Sequence, residues 1–401
     1  MISFGLDEDE ELILETAKKF AQESLWPKIR ETESARALPL DVAREAHALG
    51  LRALGIPEAS GGQGLGLGLE CIVEEQIAYG DAGACYGLAG PGALLCFVRE
   101  LGTEEQQREI LSRYTASSGS ARRGAVAWSE CKPADREGLR TTAERSANAW
   151  LIRGDKAFVV NGGVASEYVV LAQVDPSKGY AGLGAFVVPA DAEGVQPGPR
   201  RIPLGLDAAV IADVRFEGVA VGDGCRLTGG NDFSASLGRA FARHALLVAS
   251  RCVGVASRTW ELTQHYCEER KAFGKPIGHF QAVAFTVADR LMDVESGRWM
   301  IWRAAAHWDK HGTPDLALIA AASAHAQEAA MRCGDDGVQL FGGAGFVRDF
   351  PVEKCFRDAR QLGLMGPTVA TLDQLHAEIE LGVLADPATF LPTSDIQPII
   401  L

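Results

Sequence analysis

The sequence predicts an α+β fold in which a β-rich domain separates two helical units. Three observations carry this. Apolar residues recur at helical spacing in the first part of the chain, short β-branched runs between turn residues fill the middle, and long helical segments return after it. The expected units are an N-terminal helical domain over 1–121, a middle antiparallel β-domain over 122–232 and a C-terminal helical domain over 233–401.

The first helix follows Asp7, with Ile13, Ala17, Phe20, Ala21 and Leu25 on one face. Asp7 is a candidate N-cap, and the acidic residues after it suit the positive end of the helix dipole. Pro27 should end or kink this helix. A second helix fits Leu40 to Leu51. The stretch IPEASGGQGLGLGLE has the G-x-G spacing of a dinucleotide-binding loop, but no β-branched strand precedes it, so a turn into the next helix is expected. Helical spacing resumes over Glu70–Tyr79 and Thr103–Tyr114.

From 122 to 232 the segments GAVAW, LRTTAER, AWLIRGDKAFVVNGG, EYVVLAQVD, GAFVVPAD and VIADVRFEGVAV read as strands of an antiparallel sheet or barrel, with Asn161-Gly162-Gly163 as a turn. Beyond 236 the run HALLVASRCVGVASRTWELTQHYCEER carries Ala249, Ser250, Cys252, Gly254, Ala256 and Ser257, small residues that let helices approach closely.

The chain has 401 residues and a net charge of −14, which argues against nucleic acid but leaves room for a local basic site. Its nine cysteines are odd in number and contain no C-x-x-C pair, so neither a disulfide framework nor a zinc site is expected and a reducing cytoplasm is the natural setting. The acidic run Asp7–Glu11 is the reverse of a signal peptide. No apolar run approaches the roughly 20 residues needed to span a bilayer.

Residues 269–282, ERKAFGKPIGHFQA, and 339–360, QLFGGAGFVRDFPVEKCFRDAR, together resemble the acyl-CoA dehydrogenase family, and the resemblance runs over nearly the whole chain in the expected order. It implies a C-terminal four-helix bundle and FAD bound between subunits of a tetramer. It also implies an acyl-CoA or carrier-protein thioester as substrate and an electron-transfer flavoprotein as candidate acceptor. In that chemistry a carboxylate takes the proton α to the thioester carbonyl while the β hydride moves to flavin N5. A backbone amide and a ribityl hydroxyl stabilise the enolate.

Carried over by the resemblance, Arg270 and Phe273 face the diphosphate and adenine of a neighbour's FAD, and Gln339, Gly342 and Gly343 complete that motif. A guanidinium fork suits phosphate oxygens; the alternative is a helix cap and an ordinary glycine turn. Gln281 either lies near the ribityl-phosphate or is a buried glutamine satisfied by backbone. In the middle domain Ser129 keeps a hydroxyl, Glu130 is expected to be structural, and Ala134 and Asp135 replace the family's glycine and serine. Phe158 stands where a tryptophan covers the flavin, and Val160 replaces a threonine near N5. The elements a subunit offers its own flavin are thus eroded, while those it offers a neighbour's are kept.

The usual base is also missing. Where the family reads Y-E-G-T this chain has Met365-Gly366-Pro367-Thr368, so glycine replaces the glutamate and, of these four, Thr368 alone is kept, as a cofactor contact. The alternative glutamate position, counted back from Arg270, is His244. An imidazole is a competent base, and Arg243 beside it would lower its pKa; a structural histidine at a helix start is the other reading. His307 and His311 form an i, i+4 pair that reads either as two metal ligands or as a helix end before Gly312. No resident metal is expected. The readings that stand are an FAD-dependent acyl-thioester oxidoreductase, α,β-dehydrogenating or running a variant reaction as homotetramer, and a catalytically silent subunit that completes an active homologue's FAD site in a heteromer.

Overall fold

The computed structural model describes residues 6–116, 121–132 and 138–383; Ala134 and Asp135 lie outside them. The first helix, α1 (Glu8–Lys19), begins with a reciprocal cap. The Asp7 carboxylate accepts from the Glu10 amide at 2.9 Å and Glu10 accepts from the Asp7 amide at 3.0 Å. Pro27 kinks the chain without ending it, because a π turn (Phe20–Leu25) and a 3-10 turn (Trp26–Lys28) lead into α2 (Ile29–Ala35). After α3 (Leu40–Ala48) the glycine-rich loop delivers α4 (Leu67–Asp81), a turn into a helix as the missing strand predicts. Asp309 of the C-terminal domain caps α4, accepting from the Leu67 and Gly68 amides at 2.8 Å each.

The short α5 (Ala84–Gly87) and α6 (Ala93–Leu101) are unpredicted; α7 (Glu104–Thr115) follows with Thr103 as its cap. In α6, Leu94, Leu95, Cys96, Phe97, Val98 and Leu101 are all buried. A run buried on nearly every side carries little periodicity for a sequence to display.

The middle domain holds β1 (Gly124–Ala127), β2 (Thr142–Ser146), β3 (Ala149–Val160), β4 (Glu167–Gln173), β5 (Leu183–Pro189), β6 (Val195–Arg201), β7 (Ile211–Gly222) and β8 (Arg226–Leu227). They run in the order β6-β7-β3-β2-β4-β5-β8, with β1 against β4. The sheet is not purely antiparallel as expected. β1 pairs with β4 in parallel, Gly124 opposite Glu167, and Thr142 of β2 meets Gln173 of β4 in parallel. The β2–β3 hairpin lies between β1 and β4 and supplies the long crossover a parallel pair requires. At the end of β3 Asn161 turns the chain with φ 62° and donates to the Gly124 carbonyl at 3.1 Å.

The C-terminal domain packs α8 (Phe233–Glu269) against α9 (Gln281–His311), α10 (Leu316–Phe341) and α11 (Val352–Leu362), with α12 (Val369–Glu380) on α10. A hairpin of β9 (Lys271–Ala272) and β10 (Lys275–Pro276) joins α8 to α9. The small residues of α8 do what their size predicts: a Cβ on Gly254 would lie 2.2 Å from the Glu75 carbonyl of α4. The three domains meet at a buried clasp. Lys354 of α11 donates to Asp81 of α4 at 2.9 Å and to Asp358 at 2.6 Å, and Asp358 accepts from the Leu206 amide at 2.6 Å. Among the described residues no helix is long and apolar enough to cross a membrane.

Candidate active site

A cavity of about 650 Å³ opens between the sheet and the helices. Trp128 and Ser129 beyond β1, Phe158 and Val160 of β3, His244 of α8 and Met365 line it. The sequence-predicted Ser129, Phe158 and His244 therefore converge on one space.

Two networks shape its sheet side. Glu130 accepts from the Arg140 and Thr141 amides at 2.7 and 2.9 Å and from Lys156 Nζ at 2.9 Å, and the same ammonium donates to the Trp128 carbonyl at 3.2 Å. Glu130 is structural, as expected. Burial pushes Lys156 down to about 8, with Glu130 only partly offsetting it. Phe158 adopts φ 53°, and its amide donates to Asp213 Oδ1 at 3.0 Å. Asp213 also grips Arg201, whose guanidinium lies 4.5 Å above the Phe158 ring. The residue is 58% exposed. A planar ring system stacked there would meet an aromatic face backed by a cation.

On the helical side His244 is buried, and its Nε2 lies 2.8 Å from the Met365 carbonyl. A carbonyl only accepts, so Nε2 carries the proton and Nδ1 is the bare base. Among the described residues Nδ1 has no hydrogen-bond partner. Burial, and then the Arg251 guanidinium, push this imidazole down to about 4. The direction matches the sequence expectation but the cause does not. Arg243 points away and forms a buried ion pair with Glu70. Arg251, two helical turns along the same face, is the cation that His244 feels.

Gly366 lies against the same histidine. A Cβ built on it would be 3.6 Å from Val248 Cγ2 and 3.9 Å from His244 Cδ2, ordinary contact distances. The two positions at which a base was sought are spatial neighbours. Among the described residues no carboxylate lines the cavity.

The other expected cofactor residues lie elsewhere. Tyr266 stacks on Phe341 at 4.0 Å, which brings the β9–β10 hairpin and the Gly342-Gly343 turn to one end of the bundle. Arg270, Gln339, Gly342 and Gly343 are exposed there, and Phe273 is 96% exposed. Gly342 has φ 58° and ψ −133°, backbone that glycine alone adopts freely. Gln281 opens α9 and is exposed, which excludes the buried-glutamine alternative. Thr368 does not line the cavity; it is the N-cap of α12, its hydroxyl accepting from the Thr371 amide at 3.4 Å. His307 and His311 close α9, with Gly312 in left-handed conformation after them; among the described residues no group of three or more metal-ligating side chains is assembled.

Sequence reasoning missed Arg52, Tyr86 and Arg251, which also line the cavity. Arg251 Nε donates to Glu74 at 2.7 Å, and Arg52 pairs with the same carboxylate. Burial opposes ionisation of Glu74, but the Arg251 and Arg52 guanidiniums outweigh it and hold the carboxyl at about 2. The available signal was a lone cation in the apolar run after His244.

Models described as "Acyl-CoA dehydrogenase" N-terminal, middle and C-terminal domains match residues 7–118, 125–219 and 234–369. The chain is 34% identical over 370 residues to the probable acyl-CoA dehydrogenase FadE25 of Mycobacterium tuberculosis, covering 89% of this chain and 91% of that one. Among solved structures it is similar to butyryl-CoA dehydrogenase from Megasphaera elsdenii, with 26% identity, a TM-score of 0.87, and 95% and 100% of the two chains covered. It is also similar to a chain in the structure of the electron transferring flavoprotein of Acidaminococcus fermentans, with 26% identity, a TM-score of 0.84, and 96% and 100% covered.

Proposed function

The chain belongs to the acyl-CoA dehydrogenase family, and from that premise we propose that it is an FAD-dependent oxidoreductase that α,β-dehydrogenates an acyl thioester with His244 in place of the family's glutamate. The observation that carries the reading is that His244 lines the cavity beside Gly366 while its buried Nδ1 has no hydrogen-bond partner among the described residues. The residues present fit a flavin. The cavity offers the exposed Phe158 ring and the Ser129 hydroxyl, and the far end of the bundle offers Arg270, Phe273, Gln281, Gln339 and the Gly342-Gly343 turn to a second subunit. Bound there, an oxidised flavin supplies the acceptor for the two electrons lost from the α,β bond.

The chain's own residues divide the remaining work. Met365 holds Nε2–H and so keeps Nδ1 unprotonated, the nitrogen that takes the α proton as the double bond forms. The resulting imidazolium lies near Arg251 in a buried site, so His244 holds that proton poorly and works as a weak base. Phe158 and Trp128 help wall the site. Assembly as a homotetramer is supported by Phe285, Met292 and Trp299, exposed at seven-residue spacing along α9. An electron-transfer flavoprotein is the candidate electron acceptor.

The depressed basicity of His244 together with the exposed Phe273 favours a second reading, a silent subunit that completes the FAD site of an active homologue. Flavin stoichiometry separates the two. A homomer carrying one FAD per chain supports the enzyme, whereas a heteromer with fewer flavins than subunits supports the silent subunit.

A further inference from the structure

Resting on the proposed acyl-thioester chemistry, we infer that the α4–α8 end of the cavity is a carboxylate subsite, and that the acyl group this protein takes carries a second, ω-terminal carboxylate. His244 and Arg251 are seven residues apart on α8, two turns along one face, an axial separation of about 10.5 Å. A thioester with its α carbon at His244 therefore points its far end toward Arg251 when the chain runs along the helix.

What waits there is cationic. Arg52, Arg201 and Arg251 are the charged arginines of the lining, and no carboxylate among the described residues faces the cavity with them. Arg201 is matched by Asp213 at the Phe158 side. Arg52 and Arg251 share the single carboxylate of Glu74, which leaves that end one positive charge in excess. Arg251 is buried and engages Glu74 through Nε. Its guanidinium stands 4.6 Å from the centre of the Tyr86 ring. The Tyr86 hydroxyl and Arg52 Nε are buried without a hydrogen-bond partner among the described residues. A buried excess charge beside an unpartnered phenol is costly when empty and is satisfied by one anionic acceptor. A plain alkyl terminus would leave the excess positive charge and the Tyr86 hydroxyl unmatched, whereas a carboxylate would accept from the guanidinium and the phenol together.

The test is calorimetric binding of two CoA thioesters of equal carbon count, glutaryl-CoA and pentanoyl-CoA, to the FAD-loaded protein. The expected result is glutaryl-CoA binding about tenfold or more tightly, the scale of a charge-assisted hydrogen bond in a buried site. The preference should shrink in Tyr86→Phe, which keeps the ring and its packing, and collapse in Arg251→Gln. Equal binding of the two thioesters, or a preference unchanged in folded Tyr86→Phe, would overturn the subsite while leaving the proposed function standing. Failure of both thioesters to bind would overturn the proposed function, and the subsite with it.

Discussion

His244 donates its Nε2 proton to the carbonyl of Met365 at 2.8 Å, one residue before Gly366. This bond fixes the tautomer, turns Nδ1 into the free acceptor and ties α8 to the segment between α11 and α12.

The first prediction concerns pH. His244 is pushed from an ordinary 6.5 down to about 4, burial first and Arg251 second. The unfolded chain then binds the proton more readily, so the stability contributed by the neutral ring is present above pH 6.5 and is lost as pH falls through about 4. The loss amounts to about 3 kcal/mol. Denaturant unfolding across this window should show it in the wild type and less of it in His244→Asn; an identical pH dependence in both proteins would contradict it.

The second concerns Gly366. Gly366→Glu introduces a side chain whose Cβ meets Val248 and His244 at ordinary distances. The rate of substrate-dependent flavin reduction should rise by about a hundredfold, the lower range for a positioned general base. A folded variant that is no faster than wild type would show that the α carbon does not lie beside this position.

Third, the interdomain clasp should dominate stability. Lys354→Met leaves Asp81 and Asp358 buried together without their cation. Breaking a buried pair in this way costs roughly 3–5 kcal/mol. The thermal unfolding midpoint should drop accordingly, and an unchanged midpoint would remove the clasp from the account.

Fourth, Gly254→Ala should destabilise by about 1–3 kcal/mol, because the new methyl group collides with the Glu75 carbonyl where α8 crosses α4. The same denaturation measurement reads it.

Local chemistry was the legible part of the sequence. The Asp7 cap, the Gly312 stop and the turn at Asn161 each follow from one residue's own conformational habits. Features set by distant partners were not legible. The parallel β1–β4 pairing depends on a crossover, and α6 hides its period because almost all of it is buried. The site shows the same division. Arg243 adjoins His244 in sequence but projects from another side of the helix toward Glu70, while Arg251 at i+7 shares its face. Thr368 matched a cofactor-contact position by alignment, yet it caps α12 outside the cavity.

The most direct measurement is an anaerobic titration of the FAD-loaded protein with an acyl-CoA, following the flavin absorbance band, in wild type and in His244→Asn. Bleaching is expected in the wild type, and its loss, or a slowing of at least about a hundredfold, in the variant that still binds the thioester. A colourless protein that takes up no FAD, or bleaching that proceeds undiminished without the imidazole, would contradict it.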